Sequence, residues 1–281
     1  MTNRLSRRGL ATAAAAVAVS GFFIGRARAD APESTFERVT RTKVLRIAVL
    51  PGEMPYFFRD LATGEWTGSA IEMAKSIASV WNAKLEYVES TYGNSVLDLQ
   101  ANKVDLAFAL APTPQRALSI GFTRPVIVHP YGVLAKKGFL PSSWADINRP
   151  DVRISCDLGS TNEVAARRFA PKAQITAYRN RDEALLALQS GRADVNVLAA
   201  MLALAALAKN PGLGSFRLLT TPLIALPSSL GVQREPDTRF REVVDAWIDM
   251  NRGTGQIREW MIQGILKSGA RPEDIPPELS F

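Results

Sequence analysis

Gly159-Ser160-Thr161-Asn162 stands where a β-rich run gives way to a helical one. Free N–H groups at a helix start favour an anion, and the Ser160 and Thr161 hydroxyls add donors. The same hydroxyls are equally suited to plain N-capping. For proton transfer the acids in suggestive places are Glu53, in the loop before Tyr56, and Asp157, just before the Gly159 turn. Each reads equally well as a solvated loop acid; catalysis would need one of them held in a cleft with a displaced pKa. The chain has one histidine, His129, and one cysteine, Cys156. That excludes an intramolecular disulfide framework, a Cys-rich zinc site and a multi-histidine metal cluster. No cofactor is expected. Cys156 lies in an apolar run and reads as an inert core thiol; His129, within Val126–Tyr131, reads as structural or hinge-side.

Charge excludes a further class. The 281 residues carry 34 Lys+Arg and 27 Asp+Glu, a formal net charge of +7. Five of those arginines (Arg4, Arg7, Arg8, Arg26 and Arg28) fall in residues 1–29, which contain no acid, so 29 basic residues face 27 acidic ones beyond them. Ser6-Arg7-Arg8-Gly9-Leu10 opens an Ala-rich apolar run, and Ala27-Arg28-Ala29 ends it with small residues. A basic start, a short apolar stretch and an A-x-A site predict a cleavable secretory signal over residues 1–29, and the paired arginines resemble a twin-arginine export signal. The mature chain is near neutral, so nucleic acid is not an expected partner. A bacterial periplasm is the expected location.

The elements that would position these residues fall into two sets. Val44–Leu50, Leu85–Val88 and Val104–Leu110 read as strands, with helices at Ile71–Trp81 and Ser95–Ala101 between them. Val152–Cys156, Gln174–Tyr178 and Ala193–Leu198 repeat the pattern, with helices from Gly159 to about Ala170, at Asp182–Gln189 and at Ala199–Ala208. Such β-α-β alternation predicts α/β lobes built on mostly parallel sheets. Between the sets lies Val126–Lys136, an apolar run broken by Pro130; Ser228–Gln233 reads as a return strand, and Phe240–Asn251 and Gly255–Leu266 as amphipathic helices. The expected division is residues 36–130 plus 228–281 for one lobe and 131–227 for the other, with a ligand cleft between them.

An ordered series of motifs then carries a resemblance. It consists of Leu45–Leu50 with Pro55-Tyr56-Phe57, Gly68 with Ile71-Glu72-Met73-Ala74, and Tyr92–Gln100 with Lys103-Val104-Asp105-Leu106. After these come Thr113-Pro114-Gln115-Arg116-Ala117 with Ile120–Thr123, Gly159–Glu163, and Ala184-Leu185 leading to Gly191-Arg192-Ala193-Asp194. Over residues 42–266 the chain resembles the type 2 periplasmic solute-binding proteins of the amino-acid group, solute-binding family 3. The resemblance implies two Rossmann-like lobes joined by a two-segment hinge. It also implies a non-enzymatic monomer that captures a small carboxylate-bearing solute and docks on an inner-membrane ABC permease. A dehydratase-like enzyme on the same fold and a periplasmic ligand sensor are the alternatives, because fold does not decide function.

The resemblance also implies site residues. Arg116 matches the arginine that clamps the ligand carboxylate, a task suited to a planar fork of donors. Thr113 stands as a hydroxyl donor or as the cap of the next helix, and Ala111 offers only its backbone. Ser160 and Thr161 meet the ligand from the second lobe, and Tyr56 and Tyr92 wall the pocket. The chain departs from the pattern at Ala199, where relatives that bind α-amino acids carry an aspartate for the ligand ammonium. An unpaired buried ammonium is costly. Either Glu53 or Asp157 takes over that role, or the ligand lacks an α-amine.

Overall fold

The computed structural model describes residues 33–271 together with Glu273 and Ile275. The expected export segment lies outside the described residues. Helix α1 (Thr35–Thr42), absent from the sequence reading, opens on a capping box in which Ser34 and Glu37 satisfy each other's backbone N–H. Strand β1 (Val44–Val49) follows, with Leu45, Ile47, Ala48 and Val49 fully buried. A two-residue hairpin, β2 (Phe58–Arg59) with β3 (Trp66–Thr67), leads into α2 (Ser69–Val80), β4 (Lys84–Glu89), α3 (Tyr92–Gln100) and β5 (Leu106–Leu110). After the short α4 (Pro114–Ala117), β6 runs from Gly121 to Ala135.

The second set comprises α5 (Trp144–Ile147), β7 (Arg153–Asp157), α6 (Thr161–Phe169), β8 (Gln174–Tyr178), α7 (Arg181–Gln189), β9 (Val195–Ala199) and α8 (Ala200–Lys209). Strands β10 (Ser215–Leu218) and β11 (Ala225–Val232) and helices α9 (Arg239–Gly253) and α10 (Gln256–Lys267) complete the order.

The strands run β4-β1-β5-β11-β6-β9-β7-β8, with β10 on the remaining edge of β6. Two parallel half-sheets, β4-β1-β5 and β9-β7-β8, are joined through the antiparallel β6 and β11. The reading of Val126–Lys136 as an interrupted run is corrected here, since β6 is a continuous strand of 15 residues containing Pro125 and Pro130. The prolines are tolerated where the ladder changes. Pro125 sits at a register shift opposite Ser229, and Pro130 is the last residue paired to β11 before Tyr131–Ala135 turns to β9.

Each half-sheet is braced by the aspartate of its Lys103-Val104-Asp105 or Gly191–Asp194 motif. Asp105 is fully buried and holds Arg46 and Arg38, while Asp194 takes the Arg153 backbone N–H at 2.9 Å and its guanidinium, with Lys136 at 2.6 Å. The ion pairs hold the Asp194 carboxyl well below its ordinary range, the Arg153 hydrogen bond first among them. These motif residues therefore serve the sheets and leave the cleft to others.

Candidate functional site

Several of the cavity residues follow the carboxyl ends of the parallel strands, where loops must turn sharply, and His129, Tyr131, Pro227 and Ser228 come from the antiparallel β6 and β11. Tyr56 is presented by the loop after β1, which folds back so that the Tyr56 N–H donates to Glu53 O at 2.9 Å. Gly68 closes that loop against it at φ 119°, and a Cβ there would lie 2.4 Å from Tyr56 O, so only glycine fits. Tyr92 is the first residue of α3, capped by Thr91. Ser160 caps α6 by accepting from the Glu163 N–H at 3.3 Å and donates to Asp157 O at 2.7 Å.

These elements enclose a narrow cavity of about 20 Å³, lined by Tyr56, Tyr92, Tyr131, His129, Arg116, Ser160, Thr161, Asn162 and Ala199, with Ala109, Ala111, Leu202, Pro227 and Ser228. Arg116 spans it: Nη1 donates to Ala111 O at 3.1 Å and Nη2 to Gly159 O at 2.8 Å, reaching from the first half-sheet to the second. Burial lowers its pKa, opposed by the facing phenols Tyr92 and Tyr131. Tyr131 shares a 2.7 Å hydrogen bond with Thr161, and Tyr56 one of 2.7 Å with His129 Nε2. Burial pushes His129 down to about 4, so the ring is neutral at pH 7.

Six of the expected residues meet here: Tyr56, Tyr92, Ala111, Arg116, Ser160 and Thr161. Thr113 does not line the cavity; its hydroxyl accepts from the Arg116 N–H at 3.3 Å and caps α4. The carbonyl of Ala111 already accepts from Arg116 and from the Thr113 N–H at 2.9 Å. Glu53 and Asp157, expected as stand-ins for the missing aspartate, are not among the residues lining this cavity. Both line a neighbouring cavity of about 330 Å³ and both are bound by Arg181, Glu53 Oε2 at 3.2 Å from Nη2 and Asp157 through Nε at 2.8 and 2.9 Å and through Nη2. Tyr92 walls both cavities and donates its hydroxyl to Glu53 at 2.8 Å.

Four residues of these cavities were not among the site residues expected from the sequence. Arg181 lay in a helical start, where an arginine ordinarily points to water. Tyr131 and His129 sat in the run taken as interrupted; alternation along a recognised β6 would have placed Tyr131 and His129 on one face. Asn162 belonged to a turn already noted, but its chemistry depends on a contact 5 residues away: Nδ2 donates to Asp157 Oδ2 at 3.0 Å, which leaves the buried Oδ1 with no partner.

Burial pushes Glu53 up to about 7, with the Asp157 charge adding to the rise and Arg181 and Tyr92 opposing it. The folded chain therefore holds a Glu53 proton that the unfolded chain has lost between about pH 4.5 and 7, and stability falls as pH rises through that window. His129 does the opposite: its depressed pKa makes stability rise with pH between about 4 and 6.5. The two slopes cancel where they overlap. Glu53→Gln is expected to unmask the histidine slope, up to about 1.4 kcal/mol per pH unit between pH 4.5 and 6.5. Urea denaturation at a series of pH values checks it, and parallel curves for both proteins would remove Glu53 from this account.

Among the described residues no group of three or more His, Cys, Asp and Glu side chains is arranged to hold a metal ion, and no helix is long and apolar enough to cross a membrane. Burial raises the Cys156 thiol to about 12, which leaves it unreactive.

The family model for bacterial extracellular solute-binding proteins, family 3, matches residues 45–263. The chain belongs to that family. Its fold is the mixed α/β, type 2 periplasmic-binding fold. A crystal structure of an ancestral amino acid-binding protein, a precursor of cyclohexadienyl dehydratase, superposes with a TM-score of 0.72 at 27% identity, over 85% of this chain and 100% of that one. Among curated relatives, the cyclohexadienyl dehydratase of Pseudomonas aeruginosa is 24% identical over 236 residues, 83% of this chain and 86% of its own. The ABC transporter arginine-binding protein 1 of Escherichia coli is 24% identical over 179 residues, 63% of this chain and 72% of its own. This family member thus resembles both binding proteins and an enzyme.

Proposed function

We propose that this chain is the solute-binding subunit of an ABC importer, exported through its first 29 residues to the periplasm, and that it holds a small carboxylate between its lobes. The lobes divide at Pro130 and near Ser228, and closure brings Arg116 against the Gly159 turn. One observation carries the reading. Among the described residues, the charged side chain lining the narrow cavity is Arg116, the first turns of α6 and α8 also line it, and no carboxylate does. Helix α8 starts at Ala199 without a side-chain cap. A guanidinium fork and two helix starts favour an anion and offer an ammonium nothing of opposite charge. Glu53 and Asp157, the acids that an α-amine would need, are engaged with Arg181. The ligand is therefore read as an amine-free carboxylate. The unpartnered Asn162 Oδ1 suits an O–H or N–H donor on it, as in a 2-hydroxy acid.

Thermal unfolding of residues 30–281 against amino acids, 2-hydroxy acids and simple carboxylates tests this. A ligand at about 100 times its Kd stabilises by roughly 2.7 kcal/mol. Stabilisation by amine-free acids is the expected result, and Ala199→Asp is expected to transfer the response to α-amino acids. A wild-type response confined to amino acids would overturn the assignment.

A dehydratase reading is favoured by one observation: Glu53 is buried, titrates near 7 and bonds to Tyr92, which walls the cavity. A general acid needs that range. Assaying the stabilising acids for loss of water separates the two, since turnover abolished by Glu53→Gln would make the chain an enzyme.

A further inference from the structure

Glu53, Arg181 and Asp157 form a buried triad that the carboxylate site does not use. Glu53 comes from the loop after β1, in the first half-sheet, whereas Asp157 ends β7 and Arg181 opens α7, in the second. Arg181 is 2% exposed, Asp157 2% and Glu53 4%. The guanidinium lies between the two carboxylates, Asp157 along one edge and Glu53 at Nη2. Each carboxylate is aimed by a further donor, Asn162 Nδ2 on Asp157 and the Tyr92 hydroxyl on Glu53.

Helix architecture does not explain an arginine there. A cation at the first residue of α7 opposes the helix dipole, and burying it costs more than its attraction to a single carboxylate returns. Nor is the surrounding space filled. Arg181 lines two cavities at once, the one of about 330 Å³ shared with Glu53 and Asp157 and another of about 470 Å³ lined by Gly52, Met54, α7 and α8. Two acids from opposite lobes, oriented on a planar cation beside open volume, have the form of a site for a guanidinium or an ammonium group.

We infer that Arg181 is a built-in occupant of an interlobe cation site, and that by filling it the chain excludes solutes bearing a guanidinium or ammonium group. A cation already held on the chain fills the site without the loss of translational and rotational freedom that a dissolved one must meet. The inference rests on the cleft being the solute site and names what that site rejects. It also gives the acids a role without requiring proton transfer.

The experiment removes the occupant. Arg181→Ala, in residues 30–281, is followed by thermal unfolding with millimolar guanidinium chloride, methylguanidinium chloride or L-arginine, and with sodium chloride at equal ionic strength. Expected is a lowered Tm that the guanidinium compounds raise by several degrees and sodium chloride does not, with no such rise in the wild type. Equal responses to guanidinium and sodium would overturn the inference. Should the variant not fold alone, it is refolded with methylguanidinium present. Recovery specific to that ion supports the site, and no recovery overturns it. Arg181→Ala combined with Glu53→Gln and Asp157→Asn is expected to ignore guanidinium, and a response from it would also be fatal. The carboxylate panel on the wild type fails or succeeds separately: guanidinium rescue with no carboxylate hit would remove the solute reading and leave the cation site standing.

Discussion

Arg116→Ala is expected to abolish measurable carboxylate binding while the chain stays folded. Removing one partner of a buried, hydrogen-bonded charge pair costs about 2–5 kcal/mol, which is roughly 30-fold to several-thousand-fold in Kd. Most of that cost arises because a ligand carboxylate would remain in a cavity whose other lining groups are neutral. The fold is expected to survive because Arg116 makes two hydrogen bonds to carbonyls, at Ala111 and Gly159, each worth about 1 kcal/mol. Arg116→Lys separates charge from geometry. It keeps the positive charge and loses the fork, so an intermediate affinity is expected. Calorimetry with an acid that stabilises the wild type checks both variants, and an unchanged Kd in Arg116→Ala would remove the central assignment.

Arg181→Met is expected to cause the largest loss of stability. The substitution leaves Asp157 and Glu53 buried and facing each other across the space the guanidinium held. Breaking a buried ion pair from one side costs about 3–5 kcal/mol, far more than the pair's net contribution, because the remaining charge stays unsolvated. A domain of this size loses roughly 2–4 °C of Tm per kcal/mol. Neutralising all three positions, with Glu53→Gln and Asp157→Asn added, is expected to recover most of the loss. Urea denaturation of the wild type, Arg181→Met and the triple variant at one pH checks this. A loss below about 1 kcal/mol would show the triad to be worth no more than an exposed pair.

Fold class followed from the sequence because it rests on local pattern. The runs at Val44–Val49 and Arg153–Asp157, and the helical spacing at Ser69–Val80, place apolar residues at the period of the element they form. Arg116, the Gly159 turn, Tyr56 and Tyr92 were singled out from a related kind of signal, since the motifs that carry the family resemblance are short and contiguous. The 15-residue strand β6 was not legible: two prolines hid it, and whether they interrupt a ladder depends on where the partner strands change. The same limit governs the charges. As isolated letters Glu53, Asp157 and Arg181 are three ordinary surface ions, and Ala199 a small residue before a helix. Only the packing of one half-sheet against the other buries those ions together, 128 positions apart between Glu53 and Arg181, and satisfies each with the others. Which acid remains free for a ligand is decided by that long-range pairing, because the cost of burying a charge depends on its neighbours in space, and sequence spacing does not encode them.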